Sequence, residues 1–239
     1  MDINKIIRAT GLSKSETVFL ERIKQINQNY PAMAEAILIG SSACKLYSTP
    51  NYKGRISQIT DIDFVLKELP DEMKNYLELE HLINSMTIRT GMLGTKKRIK
   101  ESKFTVYKLK DEYCEIDIFE RDIANIKIPC KLKHNTINIE EVEIKIANAG
   151  LILATQLNPN AYNTRRDNRV RFMVDSIGNN SLIGTNYEGA IMDCIEVFDN
   201  SEVTQEDFTK VKNEVNNKGK GISQKYVNLV NDIYEGLHA

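Results

Sequence analysis

Thr60-Asp-Ile-Asp-Phe-Val-Leu66 is predicted to form a strand with one acidic face and one apolar face. The side chains of a strand point alternately to opposite faces, so Asp61 and Asp63 are predicted to lie together, with Ile62 and Phe64 on the other side. Neighbouring carboxylates repel each other, so a structure that keeps both of them ionised needs a compensating cation. Carboxylate oxygens suit Mg²⁺ or Mn²⁺, which makes this strand a candidate metal site.

A third acid of the same kind occurs in Cys114-Glu-Ile-Asp-Ile-Phe119. Asp117 lies between two isoleucines, and strand alternation therefore separates its carboxylate from the apolar face. Residues 104–109 alternate as a strand and residues 110–112 favour a turn, so the region 104–119 is predicted to be a hairpin. This hairpin is expected to place Asp117 beside the strand of Asp61 and Asp63.

The segment Ile37-Leu-Ile-Gly-Ser-Ser-Ala43 reads as a short buried strand that turns into a helix. Glycine allows a ligand to approach the backbone closely. The exposed N–H groups at a helix start, helped by the helix dipole, attract phosphate. Gly40, Ser41 and Ser42 are therefore candidate nucleotide-binding residues.

A strand ending in Gly-Ser, then an Asp-x-Asp strand, then a strand with a single Asp together resemble the core of the DNA polymerase β-like nucleotidyltransferases. The resemblance implies an α+β fold, with a nucleotidyltransferase-type mixed or antiparallel sheet, flanking helices and a helical C-terminal domain. It also implies an enzyme that transfers a nucleoside monophosphate from an NTP to a hydroxyl acceptor. Asp61, Asp63 and Asp117 would be catalytic and would hold two Mg²⁺ (or Mn²⁺) ions.

The second half of the chain looks like a diverged form of the AbiEii-type nucleotidyltransferases, a group that includes toxins of toxin–antitoxin systems. The similarity lies in residues 151–157 and 165–175. By position, Arg169 and Arg171 match the family's basic residues and Asp175 matches its final aspartate, which implies nucleotide-binding roles for all three. The resemblance also implies toxin-like activity with ATP or another NTP, and an antitoxin protein as a candidate partner.

Two positions depart from this family pattern: Gln156 stands in place of a lysine and Phe172 in place of the first aspartate. These changes favour a rival hypothesis, a catalytically idle member of the fold that senses nucleotide or RNA. The three acids favour the enzyme, because an inactive site would not need carboxylates that repel each other. Two simpler hypotheses stay open. The whole protein can be a scaffold that binds another protein, and the segment with Arg171 and Asp175 can be a helix surface with an ion pair between these two residues.

The composition is that of an ordinary globular protein of 239 residues with a net charge of −1. This charge gives no global attraction to nucleic acid, so RNA or tRNA binding would depend on local basic runs at 96–103 and 165–171. No apolar run approaches the length of a membrane span, and no signal-peptide pattern opens the chain, so we expect no membrane partner and a cytoplasmic location. The acceptor hydroxyl can belong to RNA, a protein or a small molecule.

The four cysteines are widely spaced and form no Cys-x-x-Cys motif. This spacing favours buried free thiols over a zinc site or a disulfide framework. A domain boundary is predicted near residue 140, between a catalytic domain (1–140) and a helical domain (141–239). The expected helices are 1–33, 71–86, 144–157, 164–177, 187–198, 204–215 and 222–234. Short strands at 126–128 and 136–139 are expected to complete the sheet.

Overall fold

The structure is a computed structural model that describes most of the sheet and the C-terminal helices. The described residues are 24, 28, 31–48, 61–68, 71, 83–89, 104–110, 115–120, 122–123, 126–127, 133–139, 142–159, 167–177, 186–201, 203–218 and 223–237. Most of the predicted N-terminal helix, the basic run 96–103, Arg165 and two of the cysteines, Cys114 and Cys130, lie outside these residues.

A mixed sheet forms the centre of the described structure. The strands are β1 (Ile37–Ile39), β2 (Asp61–Leu66), β3 (Ile83–Arg89), β4 (Phe104–Lys110), β5 (Glu115–Glu120), β6 (Asp122–Ile123), β7 (Ile126–Lys127), β8 (His134–Ile139) and β9 (Val142–Ala147). Within the described residues, seven of them form one sheet in the order β3-β4-β5-β2-β1-β9-β8. The pairs β2–β5 and β1–β9 are parallel and the other pairs are antiparallel.

Helices flank this sheet and make up the C-terminal part of the chain. They are α1 (Gly40–Ser48), α2 (Ala149–Leu157), α3 (Asp167–Ser176), α4 (Tyr187–Asp199), α5 (Gln205–Asn217) and α6 (Gln224–Gly236), with a short 3-10 helix at Pro31–Glu35. Polar side chains cap several helix starts: Asn148 for α2, Asn186 for α4, Thr204 for α5 and Ser223 for α6. The α+β class, the mixed sheet and the helical C-terminal part are thus as predicted.

One apolar rung of the sheet anchors the core. Leu38 pairs with Phe64 and with Ile146, and Phe64 pairs with Ile118. All four are at most 1% exposed and belong to one cluster with apolar residues of α1 and α2. Cys44 and Cys194 are buried free thiols in the same cluster, as the cysteine spacing predicts. The face of β2 opposite to the acids is therefore the main packing surface of the sheet.

The prediction of one helix over residues 144–157 is wrong, because Val142–Ala147 is a strand and the helix begins at Ala149. β-Branched residues at 142, 144 and 146 alternate with charged residues, which suits a strand between β1 and β8. The division into two domains stays a prediction, and its boundary near residue 140 falls between two paired strands of one sheet. Purely helical structure begins only at Ala149.

Two further predictions about the sheet need correction. A helix was expected over residues 71–86, but residues from Ile83 onward form β3, which pairs with β4 at the edge of the sheet. Of the two short strands expected to complete the sheet, only β8 does so. β7 instead pairs with β6 in a separate two-stranded sheet. In each case the pairing with an adjacent strand, and not the local periodicity, decides where the segment lies.

Candidate active site

Asp63 and Asp117 occupy the same rung of the sheet, on the neighbouring parallel strands β2 and β5. Parallel neighbours are about 4.8 Å apart, and residues in register point to the same face. Asp117 is 7% exposed, whereas Asp63 is half-buried. The predicted hairpin that carries Asp117 is confirmed, because β4 and β5 pair antiparallel. Two acids that lie far apart in the sequence therefore meet on one face.

Gly40 lies beside this pair of acids, directly after the end of β1. Ile39 is in register with Asp63, and Gly40 follows it with a φ of 69°. A Cβ atom added at Gly40 would lie 2.8 Å from Cγ of Asp63 and closer still to its Oδ2. Only glycine satisfies both requirements, since other residues are strained at positive φ and would displace the carboxylate. The Asp63 carboxylate thus lies directly against the backbone where α1 begins.

The serines of this turn differ in what they can offer a ligand. Ser42 is completely buried and Ser41 is 7% exposed, while Gly40 is partly exposed. Because Ser42 lies inside the protein, a ligand at this turn would meet mainly the backbone of Gly40 and Ser41. The first N–H groups of α1 have no carbonyl partner within the helix and carry its positive dipole end, which favours anionic oxygen.

The third predicted metal ligand, Asp61, begins β2 two residues before Asp63, in register with Glu115. Its side chain falls outside the described part of the structure. Among the described side chains, no group of three or more His, Cys, Asp or Glu residues could hold a metal ion. Two acids of the predicted trio are therefore placed together, and they offer the hard oxygen donors that Mg²⁺ and Mn²⁺ prefer.

The helix α3 carries the predicted nucleotide-binding residues of the second half, and it packs against α1. Arg169 and Arg171 are partly exposed, and the guanidinium of Arg171 lies 4.8 Å from the centre of the Phe172 ring. Asp175 accepts a hydrogen bond of 2.9 Å from the hydroxyl of Ser223, the residue that caps α6. This aspartate therefore links α3 to α6.

Gln156, which replaces the lysine of the family pattern, lies near the end of α2. It is 5% exposed, and its Oε1 has no hydrogen-bond partner in the part of the protein that the structure describes. A buried amide oxygen without a partner costs free energy comparable to a lost hydrogen bond. An apolar side chain at this position would avoid that cost.

A separate polar cavity of about 270 Å³ lies where β8 begins, against the starts of α2 and α4. Its lining includes Lys133, Asn135, Asn148 and Asp193. Three of these groups are joined by hydrogen bonds: Asp193 accepts from Lys133 at 2.7 Å and from Asn148 at 2.7 Å. Two strands, β1 and β9, separate this cavity from β2, so it does not belong to the carboxylate site.

Sequence reasoning overlooked Tyr47, whose hydroxyl joins α1 to β8 and β9. It donates to the carbonyl oxygen of Ala147 at 2.8 Å and accepts from Nδ2 of Asn135 at 2.9 Å. Burial raises the pKa of this phenol well above its ordinary value. A tyrosine on the buried face of a helix reads as packing, and no local signal identifies hydrogen-bond partners on distant strands.

No helix of the described residues combines the length and the apolar character that a membrane span requires.

No protein-family model matches the chain, and no curated protein matches it. Two solved structures are similar at 14% identity, with 94% of each chain covered. They are JHP933 from Helicobacter pylori, with a TM-score of 0.43, and an H. pylori protein described only provisionally as a nucleotidyltransferase, with a TM-score of 0.38. Similarity at this level carries no conclusion about activity.

Proposed function

We propose that this protein is a metal-dependent nucleotidyltransferase, which transfers a nucleoside monophosphate from an NTP to a hydroxyl acceptor. The observation that carries the proposal is the rung of Asp63 and Asp117, with Gly40 held against the Asp63 carboxylate. Two carboxylates side by side destabilise a fold unless a cation compensates them. A glycine at a helix start, in contact with one of them, brings the first N–H groups of the helix close to that carboxylate, where they can meet phosphate oxygen beside the cation.

The proposed roles of the residues combine the positions of Asp63, Asp117 and Gly40 with the family resemblance. Asp63 and Asp117, with Asp61, would hold Mg²⁺ or Mn²⁺, and the bound ions would supply charge neutralisation for the phosphates and the leaving pyrophosphate. The backbone N–H groups at Gly40 and Ser41 would donate hydrogen bonds to phosphate oxygens. The buried carboxylate of Asp117 would orient the attacking hydroxyl group of the acceptor.

The arginines of α3 are the proposed cationic part of the nucleotide site. Arg169 and Arg171 are carried by a helix that packs against α1, the helix that begins at the proposed phosphate-binding turn. Their guanidinium groups would compensate charge that develops during transfer. We leave Asp175 outside the proposed contacts because its carboxylate bonds to Ser223. RNA or tRNA, a protein and a small molecule remain the candidate acceptors, and a toxin-like role with an antitoxin partner belongs to the same proposal.

The proposal is tested by calorimetry of ATP binding in the presence of Mg²⁺. We expect wild type to bind ATP only with the metal, and Asp63→Asn to lose at least about tenfold in affinity, since one charged ligand is removed. Asp199→Asn, at the exposed end of α4, is the matched control and should bind as wild type does. Equal affinity of wild type and Asp63→Asn would overturn the metal role of the rung.

A second candidate is a nucleotide-sensing protein without transfer activity. The observation that favours it is the bond between Asp175 and Ser223, since it commits an aspartate of the predicted nucleotide helix to a contact within the protein. Incubation with labelled NTPs and total RNA separates the two candidates. Release of pyrophosphate that depends on Asp63 supports the transferase, whereas metal-dependent NTP binding without pyrophosphate release supports the sensor.

A further inference from the structure

The hydroxyl of Tyr47 fixes the far end of α1 to two strands at once. Tyr47 is 1% exposed, and its hydroxyl has one donor, Asn135, and one acceptor, the carbonyl of Ala147. Asn135 belongs to β8, and Ala147 is the last residue of β9. The bond to Ala147 is buried and the bond from Asn135 is partly buried, and together they fix α1 relative to the sheet.

Hydrogen bonds continue from Ala147 into the C-terminal helices. The next residue, Asn148, caps α2 by accepting from the N–H of Leu151 at 2.9 Å, and its amide donates to Asp193 in α4 at 2.7 Å. Its own backbone N–H donates to the carbonyl of Lys133 at 3.0 Å. Tyr47 is therefore the point at which α1 joins a polar connection that ends in α4.

The other end of α1 is the turn that the proposed function assigns to phosphate. The helix is short, and Tyr47 lies about 10 Å along its axis from Gly40. A helix of this length moves as a rigid body, so a rotation at Tyr47 displaces the N–H groups of Gly40 and Ser41. The backbones of Asp63 and Asp117 are paired within the sheet, and Asp63 also touches Gly40. A change at Tyr47 would therefore affect the phosphate contacts more than the metal ligands.

We propose that Tyr47 is a positioning residue of the nucleotide site: its hydroxyl, held by Asn135 and Ala147, keeps the start of α1 aligned with Asp63 and connects that alignment to α2 and α4. This inference rests on the proposed function, because it concerns how the same site receives the triphosphate. It assigns no contact with the substrate to Tyr47. The ring is part of the core, and only the hydroxyl is given this role.

The test is Tyr47→Phe, which keeps the ring and removes the hydroxyl. Two affinities are measured for each protein: Mn²⁺ alone, by electron paramagnetic resonance, and tripolyphosphate or ATP with Mg²⁺, by calorimetry. We expect tripolyphosphate and ATP to bind about fivefold more weakly to the variant, with a smaller loss of Mn²⁺ affinity. Asn135→Ala, which removes one partner of the hydroxyl, should shift the same affinities in the same direction and should add little to Tyr47→Phe.

The matched control is Thr204→Ala, which removes the capping box of α5, far along the chain from α1. It should lower the melting temperature and leave both affinities unchanged. Tyr47→Phe and Asn135→Ala with the triphosphate affinity of wild type would overturn the inference. An equal loss of Mn²⁺ and triphosphate affinity would also overturn it, because a general loosening of the fold would explain that result. Wild-type protein with no affinity for NTP would instead overturn the proposed function.

Discussion

The carboxylates of the sheet and the carboxylate of α3 differ in the groups that lie next to them. Asp63 and Asp117 lie in register as like charges on neighbouring strands. Asp175, on the helical side, accepts a hydrogen bond from the Ser223 hydroxyl and thereby joins two helices. Like charges in register repel each other, and a hydrogen bond to a carboxylate stabilises the contact between two helices. Under the proposed function the sheet acids bind a metal ion, whereas the bond of Asp175 to Ser223 joins α3 to α6.

The largest expected effect concerns the glycine beside the sheet acids. Gly40→Ala should destabilise the protein by about 2 to 4 kcal/mol, because the backbone has positive φ and the new Cβ displaces the Asp63 carboxylate. Metal-dependent ATP binding should be lost as well. Gly189→Ala in α4 is the control: its nearest contact would be 3.8 Å away, so it should stabilise by about 0.5 to 1 kcal/mol. Urea unfolding measures both, and equal effects would contradict the tight fit at Gly40.

The next effect compares two phenols, the buried side chain of Tyr47 in α1 and the partly buried side chain of Tyr187 in α4. Burial raises the pKa of Tyr47 above its ordinary 10.0, and burial raises the pKa of Tyr187 to about 12. The folded protein keeps these protons where the unfolded chain loses them, so the stability that they confer is complete below pH 10 and falls as the pH rises. Tyr47 alone should contribute a loss of about 1.4 kcal/mol per pH unit above that point.

Urea unfolding in alkaline buffers measures this slope in wild type, Tyr47→Phe and Tyr187→Phe. The slope should decrease most in Tyr47→Phe, because Tyr187 is less buried and releases its proton at a lower pH. The same alkaline slope in wild type and Tyr47→Phe would show that the Tyr47 hydroxyl is not protected in the folded state.

Ser223→Ala tests the helical side of the comparison. It removes the cap of α6 and the bond to Asp175, so the free energy of unfolding should decrease by about 1 to 2 kcal/mol. ATP affinity should not change, because the contact is internal to the helices. Urea unfolding and calorimetry on one sample decide between the alternatives. A loss of ATP affinity would restore to Asp175 the nucleotide-binding role that the family pattern implies.

Asp63→Asn tests the sheet side and has the smallest expected effect on stability. Without metal, the variant should be more stable than wild type by about 0.5 kcal/mol, since a like-charge neighbour of Asp117 is removed. Thermal unfolding with EDTA and with excess Mg²⁺ measures this. Mg²⁺ should raise the melting temperature of wild type but not that of the variant. A variant less stable than wild type in EDTA would mean that Asp63 stabilises the fold.

The sequence by itself determined what local periodicity and turn chemistry encode. The alternation in β2 separates Asp63 from Phe64, the hairpin of β4 and β5 follows from two alternating runs around a turn, and the C-terminal helices end where their apolar spacing ends. Periodicity was insufficient at β3 and β9, since β-strands gain much of their stability from neighbouring strands. The sequence alone therefore placed the predicted acids on strands but could not establish their register.

Only the tertiary structure decided which groups meet. It brings Asp63 level with Asp117, seats Gly40 against Asp63, and pairs Asp175 with Ser223. It also joins Tyr47 to Ala147, which lies 100 residues away in the sequence. Such contacts depend on strand order and on helix packing, and neither leaves a local pattern in the chain. The sequence thus shows which residues are of a type that can hold a metal ion, whereas the distances between these residues depend on the folded sheet.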